Sequence, residues 1–225
     1  MNNSNHHGGR SVLASLRAVI PVRPLDFPEA MQIAELQAAR LLELSDSTEG
    51  PVDSAVITEL PRIRVRRVEL PTSGMSFWDG HNWVIALNSS EPTTRQRFTL
   101  LHEYKHIIDH GATDRLYTGV GRHSPAQQAE QAADYFAGCA LMPKRLMKRA
   151  WGQGLQRPAA LARHFGVSER AIEVRLAQLG LVDPRLRCAP PSTVRPTHRP
   201  RQTYFRLLSP HWASRGLTPV IGGAP

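Results

Sequence analysis

Two histidines four residues apart, His102 and His106, sit in a stretch flanked by apolar residues: Phe98, Leu100 and Leu101 before them, Ile107 and Ile108 after. On an α-helix, residues i and i+4 project from one face one turn apart, so both imidazoles can reach a single ion. Glu103 stands between them, placed to act as general base toward a water polarised by that ion. The apolar flanks require the helix to bury one side. The fold must therefore hold a half-buried helix whose other side faces a reaction site.

A catalytic zinc takes a third protein ligand and leaves its fourth position to water. The metzincin pattern would need Gly at 109 and His at 112, where this chain has Asp109 and Ala112. The other arrangement places a Glu on a later helix, and Glu130, 24 residues after His106, leaves room for a loop and a return helix. Ala133, Asp134 and Ala137 follow it on the same helical face. The alanines allow close helix approach, and Asp134 is placed to accept a hydrogen bond from a ligand imidazole. The alternatives are a solvated carboxylate at a helix start for Glu130 and a surface residue for Asp134. His110 continues the i+4 series, but a helix-end histidine near the carbonyl dipole explains it better. Spacing does not identify a transition-state donor; Tyr104 and His123 are the candidates.

Around this motif the chain divides by composition. Residues 1–25, opened by Asn, Ser, His and Gly and closed by Pro21 and Pro24, are expected to be a disordered tail. Asp26 as N-cap and Pro28 in the first turn start a helix over 27–45. A short helix is expected within 53–60. Ile63 to Arg66 alternate as a half-buried strand should, and Met75–Trp78 and Trp83–Leu87 flank the turn residues 79–82. The expected fold is α+β, a small antiparallel sheet packed with active-site helices. The metallopeptidase domain covers 26–150. A helix-turn-helix-like module follows at 151–184, and 185–225, rich in Pro and Arg, is expected to be largely disordered. The loop 111–125 is expected to separate the two motif helices.

Three linked segments, Arg97–His106 ending in His-Glu-Tyr-Lys-His, Glu130–Ala137, and Leu141-Met142-Pro143, resemble the ImmA/IrrE metallopeptidases. The resemblance spans residues 27–182. It implies a zincin-like fold and a cytoplasmic zinc endopeptidase, with manganese or another divalent ion as alternative. It also implies a DNA-binding repressor as protein substrate, cut to relieve repression after stress or during transfer of a mobile element. Carried over by position, His102, His106 and Glu130 are the ligands and Glu103 the catalytic carboxylate. The sequence departs from the family at Asp134, where Asn is usual, and at Lys105, where Gly is common. Lys105 is expected on an exposed helix position, a cation near the metal.

In 158–179, Gly166 supplies the turn and Ser168 the N-cap of a helix pair whose Arg170 and Arg175 are expected to face outward, as on a DNA-reading helix. Glu169 and Glu173 share that surface and oppose phosphate, so a packing or substrate-docking module competes with DNA reading. The formal charge of +9 across 225 residues permits weak nucleic-acid contact through the basic segments. Two cysteines, Cys139 and Cys188, form no disulfide framework, and no apolar run is long enough for a membrane span. A rival function is a non-catalytic DNA-binding or antitoxin-like regulator with a metal-sensing peptidase-like domain.

Overall fold

The computed structural model describes residues 11–47, 50, 53–119 and 123–182, and all of them belong to one compact unit. The expected disorder of 185–225 lies outside the described residues.

Helix α1 (Val12–Arg17) overturns the expected tail for residues 11–25. Leu16 is fully buried in the main core. Arg17 donates from Nη2 to Ile107 O at 2.8 Å and from Nε to Ile108 O at 3.1 Å. Those carbonyls belong to the last turn of a later helix, where backbone acceptors have no helical partner. The prolines that suggested a tail only shape the link to α2 (Phe27–Leu44). That helix starts as expected, with a reciprocal capping box between Asp26 and Glu29. A short α3 (Ala55–Thr58) leads into the sheet.

Strands β1 (Ile63–Val68), β2 (Gly74–Trp78) and β3 (Trp83–Asn88) form a three-stranded sheet in the order β1-β3-β2. β2 and β3 make the expected hairpin, with Asp79 Oδ1 accepting from the amides of His81 and Asn82. β1 pairs with β3 in parallel, so the sheet is mixed where an antiparallel one was expected. The reason lies in the link 69–73, which wraps the end of β3. Asn88 Nδ2 donates to Leu70 O, Asn88 N to Ser73 O, and Ser89 N to Val68 O. The chain therefore crosses to the far edge of β3 before forming β2. Central β3 buries Val84 through Leu87, whereas β2 is an edge with Met75, Phe77 and Trp78 exposed.

The sheet lies against α4 (Thr93–Asp109), α4 packs on α6 (Pro125–Leu141), and α6 packs on α2. Ser124 caps α6, with Gln127 completing a capping box and Pro125 in the first turn. The expected loop 111–125 contains a one-turn helix, α5 (Thr113–Leu116). Pro143, just after the end of α6, opens a further helix, α7 (Lys144–Gly152), which the sequence pattern did not announce. Its Leu146, Met147 and Ala150 face the core while Lys144, Arg145, Lys148 and Arg149 stay exposed.

α8 (Pro158–Phe165) ends at Gly166, whose φ of +63° is the left-handed conformation a glycine cap supplies. Ser168 caps α9 (Glu169–Gln178). Leu161, Phe165, Ile172 and Leu176 join the same core cluster as Tyr104 and Phe136, so this helix pair shares one core with the preceding elements. Among the described residues, no helix is long and apolar enough to cross a membrane.

Candidate metal centre

Helix α4 contributes His102 and His106, and α6 contributes Glu130. His102 Nε2 lies 3.2 Å from His106 Nε2 and 3.3 Å from Glu130 Oε2; His106 Nε2 lies 3.4 Å from Glu130 Oε1. Each ring thus meets a different oxygen of the one carboxylate, and one ligand atom from each of the three residues lies within 4.8 Å of the other two, close enough to share one ion such as zinc. The donor set, two imidazoles and a carboxylate, also suits such an ion. Among the described residues these three form the group able to hold a metal ion. Their side chains are 15%, 28% and 31% exposed, which leaves one side open to a small reactant.

Asp134, one turn after Glu130 on α6, sits with Oδ1 2.9 Å from His102 Nδ1. That bond places a proton on Nδ1 and leaves Nε2 as the free donor atom. Burial disfavours a charge on His102, yet hydrogen bonds and fields from Asp134 and Glu130 outweigh it and raise its pKa to about 10. Burial likewise pushes Glu130 up, but its bonds to His102 and His106 prevail and hold the carboxyl well below its usual range. A proton on His102 is thus favoured between the two carboxylates.

Glu103 is nearly buried, and Ser76 Oγ on β2 donates to its Oε2 at 2.8 Å. Gly74 allows this contact. A Cβ there would stand 2.5 Å from Thr99 Cγ2 and 3.0 Å from Ala86 O, so a side chain would push β2 off α4. The sequence reading missed both residues. The available signal was the strand period: Gly74 and Ser76 share one face of β2, small residues beneath the large exposed Met75 and Phe77.

Three expectations are corrected. Lys105 is not exposed near the metal group; it is fully buried, with Nζ 2.5 Å from Asp109 Oδ1 and Oδ2. Tyr117 OH donates to the same carboxylate at 2.5 Å. Burial depresses the Lys105 pKa, with Asp109 opposing it, while burial and then Asp109 raise that of Tyr117. Tyr104 is also fully buried, in the core beside Arg17, which removes it as a donor to bound substrate. Arg175 does not face outward: it is 1% exposed and donates from Nε to Met142 O at 3.1 Å. Arg170 is exposed as expected and pairs with Glu173. His110 stacks edge-on against Trp83 at 4.8 Å and stands outside the ligand group. His123 is exposed, its Nδ1 3.3 Å from Gln131 Nε2.

A solved structure of a Mycobacterium tuberculosis transcriptional regulator shares this fold, with a TM-score of 0.55 at 18% identity over 75% of this chain and 52% of the regulator. The chain thus spans about half the regulator's length. No curated protein matches it. The model of the Peptidase M78 family, the IrrE N-terminal-like domain, matches residues 61–177, which include β1 through most of α9 and all three metal-group residues. With more than half its length matched, the chain belongs to the IrrE N-terminal-like domain family.

Proposed function

We propose that the protein is a zinc-dependent endopeptidase that cuts a regulatory protein, a DNA-binding repressor, in the cytoplasm and so relieves repression under stress. The observation that carries this reading is the triangle of His102, His106 and Glu130 with Glu103 held beside it by Ser76. Family membership supports peptidase chemistry, and the fold shared with a transcriptional regulator supports a role in gene control.

His102, His106 and Glu130 would hold the zinc, which would supply Lewis-acid polarisation of water and of the scissile carbonyl. Asp134 keeps the His102 ring oriented toward the ion. Glu103 accepts the proton of the attacking water on a carboxylate oxygen and returns it to the leaving amine. Ser76 fixes the carboxylate by occupying Oε2, leaving Oε1 to take the proton. Glu103 does not itself need to bind the ion.

The rival, a non-catalytic DNA-binding regulator, loses support from α9, since Arg175 is committed to the interior and Arg170 to Glu173. A reporter of the repressed genes separates the readings. At equal protein level, Glu103→Gln should abolish induction in an enzyme, and induction equal to wild type would end the peptidase reading.

A further inference from the structure

Ser76 and Trp78 point from the same face of β2, about 7 Å apart along the strand. Ser76 reaches the Glu103 carboxylate. Trp78, the next side chain on that face, meets Trp83 of β3 edge-on at 5.6 Å. Trp83 in turn meets His110, at the end of α4, edge-on at 4.8 Å. Glu103 and His110 are seven residues apart, so they lie on one side of α4, two turns from each other. Strand and helix therefore run side by side from the Glu103 carboxylate to an aromatic shelf of Trp78, Trp83 and His110.

This is the face of the sheet that packs on α4, yet its cover falls away towards β2. In the row that pairs Ile63, Trp83 and Trp78 across the three strands, Ile63 is 7% exposed, Trp83 is half-buried and Trp78 is 42% exposed. Trp83 packs against the main core, which accounts for its presence. Trp78 joins neither core cluster, and its contact with Trp83 leaves much of the ring to solvent.

An open aromatic surface one strand repeat from the proton-accepting carboxylate suits a side chain of the peptide being cut. The local field selects which kind. Arg17 sits on the last-turn carbonyls of α4, and burial and then Arg17 hold His110 below the ordinary histidine pKa. The shelf thus presents a neutral imidazole in a positive field, which opposes a lysine or arginine side chain and leaves ring-on-ring contact to an uncharged one.

We infer that Trp78, Trp83 and His110 form a subsite for an aromatic side chain of the substrate, beside the bond that is cut. The inference rests on the peptidase reading and names a side-chain class that its substrate carries.

Calorimetry on the zinc-loaded full chain tests it without any cleavage. N-acetyl-phenylalanine hydroxamate and N-acetyl-glycine hydroxamate share a zinc-chelating group and differ only in the side chain. The phenylalanine probe should bind roughly tenfold more tightly. Trp78→Ala should bring it down to the level of the glycine probe, with zinc content equal to wild type showing that the metal group still forms. Trp78→Phe should keep most of the preference. N-acetyl-arginine hydroxamate should bind no better than the glycine probe. Equal binding of the phenylalanine and glycine probes, a preference that survives Trp78→Ala, or an arginine probe as tight as the phenylalanine one would each overturn the subsite and leave the metal reading standing. Absence of zinc-dependent binding for every probe would overturn the metal reading and the subsite with it.

Discussion

On one face of α4, His102, Glu103 and His106 meet Glu130 and Asp134 in a group that stays partly open to solvent. On the other, Lys105 and Asp109 meet Tyr117 in a group sealed from it. Both contain facing cations, carboxylates and neutral donors, and they alternate along the same two turns. The sealed group is complete: ammonium, carboxylate and phenol satisfy one another and tie α4 to the segment after α5. The open group instead brings two imidazoles and a carboxylate within 4.8 Å of one another, close enough to share an ion. Self-satisfied polar clusters fix structure, whereas convergent, unfilled ones bind ligands.

The largest effect should come from the sealed face. Asp109→Ala leaves the buried Lys105 without its counter-charge and should cost about 3–5 kcal/mol in urea unfolding of the metal-free protein. His106→Ala, on the open face, should cost about 1 kcal/mol or less in the same assay. Equal losses would break the comparison.

Metal response sharpens it from the other side. Zinc at a hundredfold excess over its dissociation constant should stabilise wild type by about 2.7 kcal/mol. Glu130→Ala should lose that response. Full zinc stabilisation in Glu130→Ala would remove it from the ligand set.

Asp134→Ala should weaken zinc binding about ten- to hundredfold without eliminating it, because it frees the His102 ring rather than removing a donor. Unchanged affinity would leave Asp134 a surface carboxylate.

The smallest effect is a pH dependence. In metal-free protein the pKa of His102 is raised from 6.5 to about 10, so its stabilising contribution is present below 6.5 and fades as pH rises through 10. Glu130 is shifted down from 4.5, so its contribution is present above 4.5 and is lost as pH falls below it. Chelated wild type should gain most from this group between about 4.5 and 6.5, and Glu130→Ala should flatten that profile. A flat wild-type profile across this range would show that the group carries no such coupling.

The open face was more legible in the sequence than the sealed one, for a physical reason. Ligands on helices follow a fixed angular period, so spacing drew His102, His106 and Glu130 together with Asp134 one turn on, and the family resemblance supplied their roles. Capping chemistry similarly revealed the starts of α2 and α9, and turn residues revealed the β2–β3 hairpin. Lys105 and Arg175 were misplaced because a charged residue in an amphipathic pattern reads as exposed. What buries them is tertiary: Asp109 with Tyr117 in one case, the Met142 carbonyl with the Tyr135 ring in the other. The parallel pairing of β1 was hidden for a like reason, since strand alternation does not say which edge of β3 a strand will join. Helix α1 was missed because its stability comes from Leu16 in a distant core and Arg17 on the end of α4, not from its own six residues.

The central claim, that α4 and α6 hold a catalytic ion with Glu103 as its base, is tested most directly by measuring zinc content and repressor cleavage on the same samples of wild type and Glu103→Gln. The account predicts about one ion per chain in both proteins, with cleavage by the variant at least about a hundredfold slower. Equal cleavage at equal zinc content would contradict it.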